Sequence, residues 1–128
     1  MNNLEKEFVL YGEALELKQL GFDEPCLATI DQTDFVHIKG TEYPIRGAMV
    51  YFTVDCPTYS KALKWFRKKG YKFNIISDSP FAEEESHYIE IWFEKQFLHE
   101  SHYIYKTYED AELDLLKKLI QYEKEKQQ

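Results

Sequence analysis

A chain of 128 residues is the size of one domain and can bury an ordinary core. With 44% apolar residues, 16% of the chain aromatic, it is too hydrophobic for intrinsic disorder, yet no apolar run approaches the ~18 residues of a membrane span. A net charge of −7 argues against general nucleic-acid binding.

In chain order, residues 10–20 read as a first helix. Gly21 supplies its left-handed cap, and Pro25 prevents continuation. Residues 26–30 and 35–39 read as a hairpin about Asp31-Gln32-Thr33-Asp34, whose short polar side chains suit a turn. Residues 40–46 read as a loop, in which Tyr43, Pro44 and Arg46 could form a binding lip. Residues 47–54 alternate like a strand, with Ala48, Val50, Phe52 and Val54 on one face. Pro57 opens a second helix over residues 57–69, which Gly70 stops. Residues 72–77 form a strand, followed by a loop holding Glu83-Glu84-Glu85. Residues 87–94 are the clearest strand, with Ile89, Ile91 and Phe93 facing one way and Tyr88, Glu90, Trp92 and Glu94 the other. A short strand is expected at 103–105. Thr107 then caps a last helix over residues 108–125, with Asp110 at the capping-box position.

Tyr-x-x-Ala opens each of the three helices, at Tyr11, Tyr59 and Tyr108, spaced by 48 and 49 residues. Chance predicts about half a copy, so the repeat suggests an internal α-β-β duplication closed by a third helix. The class expected is α+β, a single domain over residues 1–128. A single antiparallel or mixed sheet should carry three helices, in the order α-β-β-β-α-β-β-(β)-α. All three alanines should be buried, letting the helices approach the sheet closely. In the last helix, Leu113, Leu116 and Ile120 extend the apolar stripe of Tyr108, Ala111, Leu115, Leu119 and Tyr122 to nearly half the circumference. A monomer could use the extension internally; a homodimer could use it between subunits.

Charge is unevenly placed. No acid occurs between Cys56 and Ser77, where six bases lie: Lys61, Lys64, Arg67, Lys68, Lys69 and Lys72. On a helical wheel Tyr59, Ala62, Leu63 and Phe66 face inward and Lys61, Lys64 and Lys68 outward, with Trp65 on the border and Arg67 beside them. Ammonium groups, a guanidinium and an indole together suit an anionic ligand or an acidic protein partner. A face that is merely solvated is the plainer reading. His99 and His102 fall where a spacing of three points the rings apart, and no HExxH occurs, so neither a metal nor a catalytic constellation is read. Cys26 and Cys56 are isolated and read as buried small apolar side chains in a reducing compartment. With no basic, apolar leader at the N-terminus, the cytoplasm is expected.

The stretches LGFDEPC (20–26), PTYSKALKWFRKKGY (57–71) and KTYEDAELDLLKKLI (106–120) resemble a family of small uncharacterised proteins encoded by bacteriophages and prophages of Bacteroidetes-type bacteria. The resemblance implies a phage-borne accessory protein in the bacterial host cytoplasm, without family site residues or cofactors to carry over. Together with the basic helix it suggests a non-enzymatic binding protein, a host-defence antagonist that occupies a host factor or sequesters a small anionic nucleotide signal. The alternative is a nucleic-acid-binding accessory protein using the second helix.

Overall fold

The computed structural model describes residues 5–39, 53–79, 81–102 and 104–128. After a 3-10 turn at Glu5–Glu7 come α1 (Tyr11–Gln19), β1 (Ala28–Asp31), β2 (Val36–Ile38), β3 (Thr53–Cys56), α2 (Tyr59–Lys68), β4 (Tyr71–Ser77), β5 (His87–Phe93), β6 (Gln96–Glu100) and α3 (Tyr108–Gln127). The α+β class and the element order are those the sequence pattern implies. The loop 40–46, with Tyr43, Pro44 and Arg46, lies outside the described residues, as do residues 47–52 of the expected third strand.

Local chemistry explains the helix limits. The α1 N-terminus borrows its cap from the β1–β2 turn: Asp34 Oδ1 accepts the Tyr11 N–H at 2.9 Å. Thr58 and Thr107 cap α2 and α3 through their own hydroxyls, accepting from Lys61 N–H at 3.2 Å and Asp110 N–H at 3.0 Å. Gly21 and Gly70 end the first two helices at φ 101° and 107°, a region costly for other residues. At Gly70 a Cβ would also come within 3.3 Å of the Phe93 ring.

Among the described residues the strands fall into two three-stranded antiparallel sheets, where a single sheet was expected. Hydrophobic alternation marks which residues are extended, but not which strands pair. The first sheet has the order β2-β1-β3, with Ala28 opposite both Ile38 and Cys56. The second has the order β4-β5-β6, running from Tyr71 opposite Phe93 to Ser77 opposite His87. The sixth strand also sits earlier than expected. It follows β5 through a two-residue turn at Glu94-Lys95, with Glu94 at φ 53°, a conformation a glutamate does not advertise. In the expected segment 103–105, Tyr105 makes one bridge to His87, and Tyr103 lies outside the described residues.

The helix repeat does not extend to the sheets. The first strand after α1 is central in its sheet, whereas the second strand after α2 is central in the other. What recurs is the helix contact: Ala14, Ala62 and Ala111 are all buried. One contiguous core joins α1 (Leu17), the first sheet (Ile30, Val54), α2 (Phe66), the second sheet (Tyr71, Ile89, Ile91) and α3 (Leu115, Leu119). Leu116 and Ile120 belong to this core, and Leu113 packs on its edge. Two of the three residues considered for a homodimer, Leu116 and Ile120, are thus used inside the chain, because α3 packs on α1, α2 and the second sheet at once. No helix among the described residues is long and apolar enough to cross a membrane.

Candidate functional site

The α2 helix turns Tyr59, Ala62, Leu63 and Phe66 into the core, as the wheel requires. Trp65 goes with them. It is 8% exposed, with Phe22 edge-on at 5.5 Å and Phe66 at 5.0 Å between ring centroids. This corrects its place on the border. Phe22, beyond the end of α1, widens the buried arc of α2, so the indole serves as a floor rather than a stacking platform.

The lysines do converge. Lys61, Lys64 and Lys68 line one depression of ≈260 Å³, with Thr58, Ser60, Trp65 and Glu24. Two of them are tethered to the α1–β1 connection. The Lys61 ammonium donates to the Pro25 carbonyl, and Lys68 Nζ lies 3.1 Å from Glu24 Oε1. Lys64 is exposed and forms no ion pair with the described residues. Arg67 is not on this depression; its guanidinium lies over the Phe73 ring at 4.6 Å from the centroid. Lys69 turns toward α3, 3.5 Å from Glu123 Oε2 and 4.5 Å above the Trp65 ring. Of the five residues singled out by sequence, three present their charge to one place, one floors it and one lies aside.

Ser60 was missed, although its spacing of four from Lys64 puts both on one face and was legible. Glu24 could not be found that way, since it is 44 residues from Lys68 and meets it only in the fold. Its carboxylate supplies the negative charge against which Lys68 rests. Four other clefts among the described residues are larger; the two of ≈360 and ≈440 Å³ are less directed. The first mixes Lys6 with Glu109 and Asp110, and the second mixes Lys126 with Glu125. The cysteines add no reactive group here. Both are buried and free, and burial pushes the Cys56 thiol up to about 12.

Comparison with protein-family models, with curated proteins and with solved structures finds no match to this chain.

Proposed function

We propose that this chain is a binding protein that takes one anionic group of its ligand or partner into the depression on α2. In the setting suggested by the phage-family resemblance, it is an accessory protein that antagonises host defence. It would do so by occupying a host factor or holding a nucleotide signal. The observation that carries the reading is the convergence of Lys61, Lys64 and Lys68, with the Ser60 hydroxyl beside them. The volume sets the scale. At ≈260 Å³ the depression is below the roughly 300–1,000 Å³ of ordinary small-molecule sites, so it suits a phosphate or a carboxylate rather than a whole dinucleotide. Glu24 is the built-in competitor: an incoming anion must displace it from Lys68.

Thermal-shift and calorimetric titration against a nucleotide panel, with capture from host lysate, tests this. Lys61, Lys64 and Lys68 changed together to Glu should abolish binding with the fold intact. Glu24→Gln should strengthen it. Equal binding by the triple variant sinks the reading, and retention of DNA or RNA that falls steeply with salt replaces it with the nucleic-acid one.

A further inference from the structure

The β4–β5 connection brings three reactive side chains into line. Ser77 closes β4, His87 opens β5, and the two are direct cross-strand partners. Ser77 Oγ lies 2.7 Å from His87 Nδ1, and the other ring nitrogen, Nε2, lies 2.8 Å from Glu85 Oε1. His87 is buried, while Ser77 and Glu85 are open to solvent.

A carboxylate only accepts hydrogen bonds, so the neutral ring carries its proton on Nε2. Nδ1 then has a free lone pair, and the Ser77 hydroxyl must be the donor to it. A hydroxyl on a base whose tautomer is held by a third group is the arrangement that activates a nucleophile. The surroundings keep the ring in place. The His87 backbone N–H donates to the Tyr105 carbonyl at 2.9 Å, and the Tyr108 ring stands edge-on to the imidazole at 6.1 Å. The loop bearing Glu85 is closed by Asp78, whose N–H donates to the Ser86 carbonyl at 2.9 Å and whose Oδ2 accepts from Ser86 Oγ at 3.1 Å.

The turn also limits the chemistry. The two N–H groups after Ser77 are spent, that of Asp78 on Ser86 and that of Ser79 on Asp78 Oδ1 at 2.7 Å. They cannot form an oxyanion hole, so amides and alkyl esters, which depend most on one, are poor substrates. We propose that Ser77 is a nucleophile toward activated acyl groups with good leaving groups, such as aryl esters, thioesters and acyl phosphates. His87 is its general base and Glu85 a positioning residue. In the step, the bond from Ser77 Oγ to the acyl carbon forms and the bond to the leaving group breaks, the leaving group taking the electron pair. The hydroxyl proton passes to His87 Nδ1 and on to the leaving group. Water, giving a proton to Nδ1, then attacks the acyl-serine; the proton returns to Ser77 Oγ as the carboxylic acid departs. None of the three residues lines the α2 depression, so this activity is independent of anion binding there.

The test is reaction of the intact chain with 4-nitrophenyl acetate, following nitrophenolate release and mapping the acetylated peptide. Acetylation should fall on Ser77 and vanish in Ser77→Ala. His87→Asn should slow it by about 100-fold or more. Exposed Glu85→Gln should slow it less, and Glu85→Asp should recover part of the loss, because a carboxylate only accepts and so holds the ring proton on Nε2. Acetylation confined to lysines or tyrosines, or unchanged in Ser77→Ala, overturns the proposal. So does a rate that Glu85→Gln leaves untouched. Should buried His87→Asn fail to fold, Glu85→Gln decides alone.

Discussion

Glu13 and Glu123 are both buried carboxylates, at 8% and 5% exposure, in unlike surroundings. On α1, burial pushes Glu13 above its ordinary 4.5, opposed chiefly by the Lys117 charge. Between 4.5 and that raised value the folded chain holds a proton that the unfolded chain has released. Stability therefore falls as pH rises through this window. Burial alone would raise Glu123 too, but hydrogen bonds from Gln127, Lys126 and Tyr71 outweigh it and hold the carboxyl below 4.5. Its contribution is full above 4.5 and is lost as pH falls through the depressed value. Two melting experiments separate the residues. Glu13→Gln should raise Tm at pH 7 by a few degrees, about 1 kcal/mol, with the gain shrinking toward pH 4. Glu123→Gln should cost about 1–3 kcal/mol at pH 7 and less in acid. A lower Tm for Glu13→Gln at neutral pH would mean that Lys117 outweighs burial. Neither glutamate announces burial in the sequence, where each sits among other charges on a helix.

At the scale of the element, α2 shows how far periodicity reaches. A spacing of three and four put Tyr59, Ala62, Leu63 and Phe66 inside, and they are. The same wheel left Trp65 on the border, because the arc a helix buries depends on what packs beside it, here Phe22. The Tyr-x-x-Ala motif divides in the same way. Its alanines share one role, with Ala62 and Ala111 at 0% exposure, but its tyrosines do not: Tyr59 is buried and Tyr108 is 45% exposed. Ala62→Leu should overpack the helix contact and lower stability by about 1–3 kcal/mol in denaturant unfolding. A neutral result would show that α2 has room to move away. The β5–β6 hairpin was illegible for a different reason. Its turn is Glu94-Lys95, without the Gly or Asn that marks such turns, and the positive φ at Glu94 is imposed by the pairing on either side.

For the whole molecule, α3 is the joint. It packs on α1, α2, β4 and β5, and near its end Gln127 Nε2 donates to the Leu20 carbonyl at 3.2 Å. Its wide apolar surface is what an element contacting four others requires, so an apolar excess on a helix need not signal a second subunit. Leu116→Ala, at a fully buried site, should cost about 2–5 kcal/mol and leave the oligomeric state unchanged. A seam between subunits would instead show a Tm that depends on protein concentration and a mass by light scattering that falls in the variant. Charge follows the same logic at this scale. The acid-free run from Cys56 to Ser77 remains basic locally, yet Glu24 and Glu123, distant in sequence, each take up one of its lysines.

The class, the order of elements, the Thr107 cap and the three buried alanines were determined by the sequence alone. Each depends on neighbours within about four residues, where periodicity and local hydrogen bonding speak directly. The division into two sheets, the place of Trp65, the convergence of Lys61, Lys64 and Lys68 with Glu24, and the alignment of Ser77, His87 and Glu85 were decided by tertiary structure. Even the closest of these, Glu85 and His87, meet across a ring whose direction depends on the pairing of β4 with β5. Strand pairing and side-chain meetings over long separations are set by how the whole core closes, and a one-dimensional pattern of apolar and charged residues does not encode which faces will meet.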